Sequence, residues 1–207
     1  MSAKKAKKAK KEKDQGGLVS FTIDGRPVQA REGWTLLEAA RQYGIYIPTL
    51  CFHPAVQPAG SCRLCVVEAR QNGRSAVVAS CITRVKEGLE VLTGSEEVQN
   101  VRRWVLEMLL AACPASRQIR ELAKAHGITS TRFKVENLDE ACPRCGLCVR
   151  GCQEVAGVQA LTFGNRGIFK EVTAPYHQRS KDCIRCGTCL YVCPTGAMEQ
   201  LFLQVSG

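Results

Sequence analysis

The 207-residue sequence predicts an α+β fold in which two cysteine-rich parts are joined by a helical stretch. Three observations predict it: short alternating strands around one capped helix, an apolar stripe of helical period after Ser95, and two matching runs of four cysteines near the C-terminus. The predicted division is a basic, disordered tail at 1–17, a first domain at 18–94, a helical linker at 95–137 and a second domain at 138–207.

The N-terminal tail carries half of the formal net charge of +10, because residues 1–14 hold seven lysines against Glu12 and Asp14. Its low complexity cannot nucleate a core. A charge run of this kind is typical of a solubilising extension or of a helix that orders only against a partner. The alternative is a basic arm for nucleic acid, a membrane surface or an acidic protein.

The thirteen cysteines are expected to bind metal rather than to form disulfides. No apolar run reaches the ~20 residues of a membrane-spanning helix. The lysines of the tail are not followed by the apolar stretch of a secretory signal. We therefore expect a cytoplasmic chain, and in that reducing compartment clustered cysteines are usually metal ligands.

The first domain shows the pattern of a small β-grasp unit. Residues 19–23 alternate, Asp24-Gly25 predicts a tight turn, and a second strand starts near Val28. Thr35 followed by Glu38 is a capping box, which predicts the start of a helix that Gly44 can end. Further strands are expected at 65–69, 76–79 and 89–92, with a turn at Asn72-Gly73 between the first two.

The linker is expected to be helical. Pro114 ends a first helix, and a second short helix is predicted at 118–126 before Gly127. A last strand is expected at 201–203. The residues of the first helix predicted to share one apolar face are Val98, Val101, Val105, Met108, Leu109 and Ala112.

The second domain carries the most specific motif in the chain. The run C-x2-C-x2-C-x3-C occurs twice, the second time followed by proline, which is the spacing of bacterial ferredoxins with two [4Fe–4S] clusters. Three cysteines wrap one cluster, and the fourth reaches the neighbouring cluster. Paired zinc sites are the alternative, but they do not need this rhythm. Cluster A is expected to bind Cys142, Cys145, Cys148 and Cys193, and cluster B to bind Cys183, Cys186, Cys189 and Cys152.

Four more cysteines fall in or next to the β-rich part, at Cys51, Cys62, Cys65 and Cys81. Four thiols in one small β unit suit a [2Fe–2S] cluster, although the first gap is longer than in plant-type ferredoxins. Spacing alone leaves zinc open. His53 lies close to Cys51, but it is not expected to be a ligand because four cysteines already suffice.

The segment VSFTIDGRPVQAREGWTLLEAARQYGIYIPTLCFHPAVQPAGSCRLCVVEA resembles the N-terminal [2Fe–2S] domain of the large iron–sulfur subunit of NADH dehydrogenase (respiratory complex I). It is similar to the same domain in iron-only hydrogenases, NAD-reducing hydrogenase diaphorases and NAD-linked formate dehydrogenases. The segments CPRCGLCVRGCQEVAGVQALTFGNRG and CIRCGTCLYVCPTGAM resemble the ferredoxin-like part of that family. The resemblance covers residues 18–200.

The resemblance implies one [2Fe–2S] cluster held by Cys51, Cys62, Cys65 and Cys81, besides two [4Fe–4S] clusters. It implies an electron-transfer subunit that relays single electrons between two partners. One partner would be a flavin-containing subunit that handles NAD(P)H. The other would be a catalytic reductase or dehydrogenase subunit, of the formate dehydrogenase, hydrogenase or electron-bifurcating type.

Two departures from the family shape this expectation. Family members usually carry a [4Fe–4S] site with one histidine and three cysteines between the two modules, whereas this linker offers only Cys113 and His126. We expect that cluster to be lost and Cys113 to be a buried apolar residue. The chain also ends at Gly207, soon after the second cysteine run, so we expect no catalytic domain and no catalytic side chain.

Two other functions are compatible with the same residues. The chain could be a free-standing soluble ferredoxin carrier, which would be stable as an isolated, cluster-loaded monomer. The chain could instead be a redox-sensing regulator that uses the lysine-rich tail to bind nucleic acid, although three clusters are more than a sensor needs.

Overall fold

The computed structural model describes residues 16–178, 180–199 and 201–202, so the predicted basic tail lies almost wholly outside the described residues. The described chain forms two compact units. The first unit comprises residues 16–50 and 58–105. The second unit comprises residues 51–57 and the chain from 106 onwards.

The first unit is built on a five-stranded mixed sheet with the order β2-β1-β5-β3-β4. β1 and β5 are parallel, and the other neighbours are antiparallel. A helix, α1, spans Leu36–Gln42 and buries its apolar side chains. This α+β arrangement confirms the predicted fold class. The strands are β1 Leu18–Ile23, β2 Arg26–Arg31, β3 Val66–Gln71, β4 Arg74–Ala79 and β5 Glu90–Leu92.

Local sequence signals determine the ends of these elements. Thr35 Oγ1 accepts a hydrogen bond from the Glu38 N–H at 3.2 Å, and a Glu38 carboxylate oxygen accepts one from the Thr35 N–H at 2.7 Å. This is the predicted capping box. Both hairpins turn on two left-handed residues, and the second turn has φ values of 51° at Asn72 and 72° at Gly73.

A long helix, α2, spans Glu96–Ala112, and its buried face differs from the predicted stripe. Val98 is buried as predicted, but Met108 is 45% exposed, and Arg102 and Leu106, which lie outside the predicted stripe, are buried. Arg102 donates from Nε to the Leu64 carbonyl at 3.2 Å and from Nη2 to the Val66 carbonyl at 2.8 Å. A buried arginine that is satisfied by carbonyls of a distant segment leaves no sign in the local apolar pattern.

The second unit is made of short elements around a small core. The core holds Ala160, Leu161, Val172 and Met198 together with cysteine side chains. Leu201 and Phe202 are helical rather than extended, which corrects the predicted last strand, and Leu203 lies outside the described residues. The elements are α3 Arg117–Ala125, α4 Leu147–Glu154, β6 Thr162–Gly164, β7 Glu171–Thr173 and α5 Thr188–Tyr191.

Across the described residues, every helix is too short or too polar to cross a bilayer.

Candidate iron–sulfur centres

A cavity of about 210 Å³ in the second unit is lined by four cysteines. Two come from the loop before α4, one from the first turn of α4, and the last from the residues just after α5. Pro143, Gly146 and Met198 complete much of the wall. The four cysteines at this cavity are Cys142, Cys145, Cys148 and Cys193, the set predicted for cluster A.

A second, smaller cavity of about 20 Å³ is lined by the other four cysteines of the same unit. Here two come from the loop that leads into α5, one comes from α5 itself, and the fourth comes from the last turns of α4. Val158, Leu161 and Phe202 provide apolar wall. The cysteines are Cys183, Cys186, Cys189 and Cys152, the set predicted for cluster B.

The two cysteine loops have the same backbone conformation. Arg144 and Arg185 occupy equivalent positions and both have φ of 54°. Gly146 and Gly187 are also equivalent, with φ of 74° and 72°, and each is the residue from which the following helix starts. This left-handed geometry turns backbone N–H groups towards the sulfur atoms: the Arg144 N–H donates to Cys142 Sγ at 3.4 Å. The sequence indicates the glycines, but a left-handed arginine has no local signature.

The first loop also requires a small residue for space. A Cβ atom on Gly146 would lie 2.9 Å from Cζ of Phe163, closer than such atoms approach in proteins. The glycine therefore allows the loop to reach the cavity while the aromatic ring closes behind it. Glu140 fixes the loop from the other side, since its carboxylate accepts from the Cys142 N–H at 2.8 Å and from Arg144 Nη2 at 3.2 Å.

The two cavities differ in their electrostatics. Burial raises the pKa of Cys145 to about 11 and also raises the pKa values of Cys142 and Cys148. Cys186 is exposed, and hydrogen bonds from Thr188 lower the pKa of its thiol. Burial also raises the pKa of Cys189 in the second cavity. The thiols of Cys142, Cys145 and Cys148 are thus neutral at pH 7 unless a positive charge enters the first cavity.

The donor set and the size of the first cavity fit a cluster better than a single ion, and the second cavity presents the same set of four cysteines. Within the described ranges, no three side chains of His, Cys, Asp or Glu converge on a point that one ion could occupy. A zinc site needs four ligands on one ion. The cysteines of an iron–sulfur cluster bind separate iron atoms, so they surround a larger space, as the four thiols of the 210 Å³ cavity do.

The remaining four predicted ligands fall in both units. Cys65 and Cys81 are buried in the first unit, where Cys62 is half-buried. The residue before Cys81 is tied to Cys65, because the Ser80 N–H and hydroxyl donate to the Cys65 carbonyl at 3.0 and 2.7 Å. Cys51 is buried and belongs to the second unit.

His53 makes contacts typical of a structural side chain. Its Nδ1 accepts a hydrogen bond from the Ala55 N–H at 3.2 Å. Its ring meets the ring of Tyr191 edge to face, with the ring centres 5.8 Å apart.

Cys113 is fully buried, as predicted for an apolar residue at that position. Its Sγ donates to the Leu109 carbonyl at 3.0 Å, one helical turn back. Burial raises the pKa of this thiol to about 12, and nearby Cys142 and Glu140 raise it further. Cys113 is not among the residues that line either cavity.

Two known domain families match the chain. The family described as "2Fe-2S iron-sulfur cluster binding domain" matches residues 17–96, and the family described as "4Fe-4S dicluster domain" matches residues 141–197. The first match includes Cys51, Cys62, Cys65 and Cys81, and the second includes all eight cysteines of the two runs. The chain therefore contains one domain of each kind.

Among characterised proteins, the chain is 31% identical to the NADH-ubiquinone oxidoreductase 75 kDa subunit of Reclinomonas americana, over 87% of this chain and 29% of the relative. It is 32% identical to NADP-reducing hydrogenase subunit HndD of Solidesulfovibrio fructosivorans, over 88% of this chain and 36% of the relative. The chain thus spans about a third of the length of these relatives. One chain in a crystal structure of NAD+-reducing [NiFe]-hydrogenase in the H2-reduced state is 36% identical, with a TM-score of 0.72 and 86% of both chains covered.

Replacement of Cys113 by alanine should leave the iron content unchanged, since this side chain hydrogen-bonds to the last turn of α2 and lines neither cavity. Iron per chain is measured after anaerobic purification of the variant and the wild type. A matched variant, Cys142→Ala, should lose about four irons, the content of one [4Fe–4S] cluster. A comparable loss in the Cys113 variant would show that a ligand had been missed.

Loading of the first cavity should need a higher pH than loading of the second. Three of its thiols, those of Cys142, Cys145 and Cys148, have raised pKa values and ionise only as the pH rises. In the second cavity the pKa of Cys189 is raised but that of Cys186 is lowered. Two variants isolate the cavities: Cys152→Ser leaves the first with four cysteines, and Cys193→Ser leaves the second. Iron per chain after anaerobic reconstitution at pH 6, 7 and 8 should fall off sooner on acidification in Cys152→Ser. Equal or opposite pH dependence would contradict this expectation.

Proposed function

The chain belongs to the family of iron–sulfur proteins that includes the matched chain of NAD+-reducing [NiFe]-hydrogenase, and on that premise we propose that it is an electron-transfer subunit of a multi-subunit, NAD(P)H-linked oxidoreductase. The observation that carries the proposal is the lining of two neighbouring cavities by four cysteines each, with the last cysteine of each run at the cavity of the other. Bound iron–sulfur clusters exchange one electron at a time.

In this proposal the side chains hold and adjust the clusters and form no bond to a substrate. The ligands are Cys142, Cys145, Cys148 and Cys193 for the first [4Fe–4S] site, Cys183, Cys186, Cys189 and Cys152 for the second, and Cys51, Cys62, Cys65 and Cys81 for the [2Fe–2S] site. The N–H group of Arg144 that donates to Cys142 Sγ illustrates the adjustment, because hydrogen bonds to ligand sulfur raise the potential of a cluster.

We propose two kinds of partner, a flavin-containing subunit that handles NAD(P)H and a catalytic reductase, dehydrogenase or hydrogenase subunit. The names of the relatives support this, since they are subunits of NADH-ubiquinone oxidoreductase and of NADP-reducing hydrogenase. We propose a cytoplasmic location. All thirteen cysteines lie in the described part of the chain and none forms a disulfide, which suits a reducing compartment.

The same proposal keeps the four-part division of the chain and the loss of the histidine-ligated cluster. The burial of Cys113 and its hydrogen bond to the Leu109 carbonyl support the loss. The basic tail remains a candidate for contact with a partner.

Pairs of cysteine replacements test the exchange of the fourth ligand. Cys186→Ser with Cys152→Ser removes two ligands of one proposed cluster, so the protein should keep about six of about ten irons. Cys186→Ser with Cys193→Ser removes one ligand from each [4Fe–4S] cluster, and only about two irons, those of the [2Fe–2S] cluster, should remain. Iron analysis and EPR spectroscopy of the reduced proteins measure both outcomes.

The two double variants are controls for each other. Both contain Cys186→Ser, and they differ only in the second replacement, which is Cys152→Ser in α4 or Cys193→Ser after α5. The [2Fe–2S] signal should be equal in both. If the first pair lost both [4Fe–4S] signals and the second pair lost one, each run would bind its own cluster and the proposed ligand sets would be wrong.

Anaerobic purification of the native protein tests the partners. A flavoprotein and a catalytic subunit should accompany the chain in fixed ratio, as mass spectrometry would show, because the chain itself is proposed to carry no substrate site. If the chain is instead recovered alone and fully loaded with about ten irons, it is a free-standing carrier and the proposed partners are wrong.

A further inference from the structure

Within the second unit, residues 51–57 are bound to the surface of α4. The segment starts with Cys51, a proposed ligand of the [2Fe–2S] cluster, and α4 carries Cys148 and Cys152, proposed ligands of the two [4Fe–4S] clusters. The contacts between this segment and α4 therefore bear on the [2Fe–2S] site, provided that the proposed function holds.

Helix α4 has two faces with different tasks. Cys148 and Cys152 are four residues apart and so lie on one face, each at a different cavity. Arg150 and Glu154 are also four residues apart, and they lie on the opposite side of the helix. One face of α4 therefore holds cluster ligands, and the other is available to hold the segment.

Arg150 binds the backbone of the segment at both of its ends. Its Nη2 donates to the Cys51 carbonyl at 2.8 Å, and its Nη1 donates to the Gln57 carbonyl. Glu154 completes the contact, because its carboxylate accepts from the Gln57 N–H at 2.7 Å. Both polar backbone groups of Gln57 are thus satisfied by charged side chains of α4, and charge-assisted hydrogen bonds of this kind are about twice as strong as neutral ones.

Apolar packing holds the middle of the segment. Val56 is 4% exposed and packs with Leu147 of α4 and Val192, with Cys145 beside them. The contact thus combines a buried valine with three hydrogen bonds from two side chains. A segment fixed at its middle and at both ends has little freedom to move its first residue.

We propose that Arg150 is a positioning residue that fixes the backbone of segment 51–57 through the carbonyls of Cys51 and Gln57. It thereby sets the position of Cys51, a proposed ligand of the [2Fe–2S] cluster, and the reduction potential of that cluster. The guanidinium supplies a fork of parallel donors, which can serve two carbonyls at once. Its positive charge next to the peptide group of a cluster ligand favours the reduced, more negative state of the cluster.

The test replaces Arg150 in the full-length, cluster-loaded chain. Arg150→Gln removes the charge and the fork, so the midpoint potential of the [2Fe–2S] signal should shift downwards in an EPR-monitored redox titration. Deuterium uptake of peptides covering 51–57 should also rise. Arg150→Lys keeps the charge without the fork, and we expect a smaller shift of potential together with raised uptake.

The matched control is Arg117→Gln, which removes the same charge from another helix of the same unit. Arg117 is exposed and paired with Glu121, so its loss should change neither the [2Fe–2S] potential nor the uptake of 51–57. Wild-type potential and uptake in Arg150→Gln would overturn the inference. If Arg150→Gln does not retain its clusters, Arg150→Lys decides: raised uptake of 51–57 supports the inference, and wild-type uptake overturns it.

The outcomes separate this inference from the proposed function. If the wild type lacks a [2Fe–2S] signal, or if Cys51→Ser leaves that signal unaltered, the proposed ligand set fails, while the deuterium uptake still tests the hold of Arg150 on the segment. If the signal is present and depends on Cys51, but Arg150→Gln changes neither its midpoint potential nor the deuterium uptake of 51–57, the ligand set is supported and the positioning role is wrong.

Discussion

The close approach of α4 and α5 at Gly151 is the constraint on which the second unit depends. A Cβ atom on Gly151 would lie 3.3 Å from Val192 and 3.4 Å from Thr188, tighter than most contacts of real side chains. Because the helices touch there, Cys152 on α4 reaches the cavity of the second cysteine run and Cys193 after α5 reaches that of the first. An added methyl group would require Val192 or Thr188 to shift by a few tenths of an ångström, and a large side chain would push the helices apart and displace these two cysteines.

Because Cys152 and Cys193 each lie at the cavity of the other run, packing couples the two cavities, and in the proposed assignment ligation couples them as well. The core beside them is small, and Cys148 and Cys152 are themselves part of it together with Leu161 and Val172. With so little apolar area, a bound cluster would supply much of the stability that a larger core provides. Burial raises the pKa values of Cys145 and Cys148, so these thiols are neutral at pH 7 and would lose their protons only to bound metal.

Sequence reasoning succeeded where the signal is local. The capping box at Thr35 and Glu38, the turn at Asn72-Gly73 and the end of the linker helix near Pro114 all follow from a few adjacent residues. Local sequence does not predict burial that depends on a partner distant in the chain. Arg102 is buried because the carbonyls of Leu64 and Val66 accept its hydrogen bonds, so the buried face of α2 is rotated away from the apolar stripe. The spacing of the cysteine runs predicts which four side chains gather at each cavity, but not the left-handed arginines that shape the loops.

The segment 51–57 shows the same limit for a whole piece of chain. Nothing in its composition distinguishes it from the strands and loops on either side, and in sequence it lies within the [2Fe–2S] domain match. In the structure it belongs to the same unit as α4, and Arg150, Glu154 and Val56 make the contacts between them. Arg150 and Glu154 are nearly a hundred residues away, and each has an ordinary place on a helix between cysteines. Their role follows from the hydrogen bonds of the backbone groups of Cys51 and Gln57. A segment that does not pair with a strand must satisfy these groups with side chains.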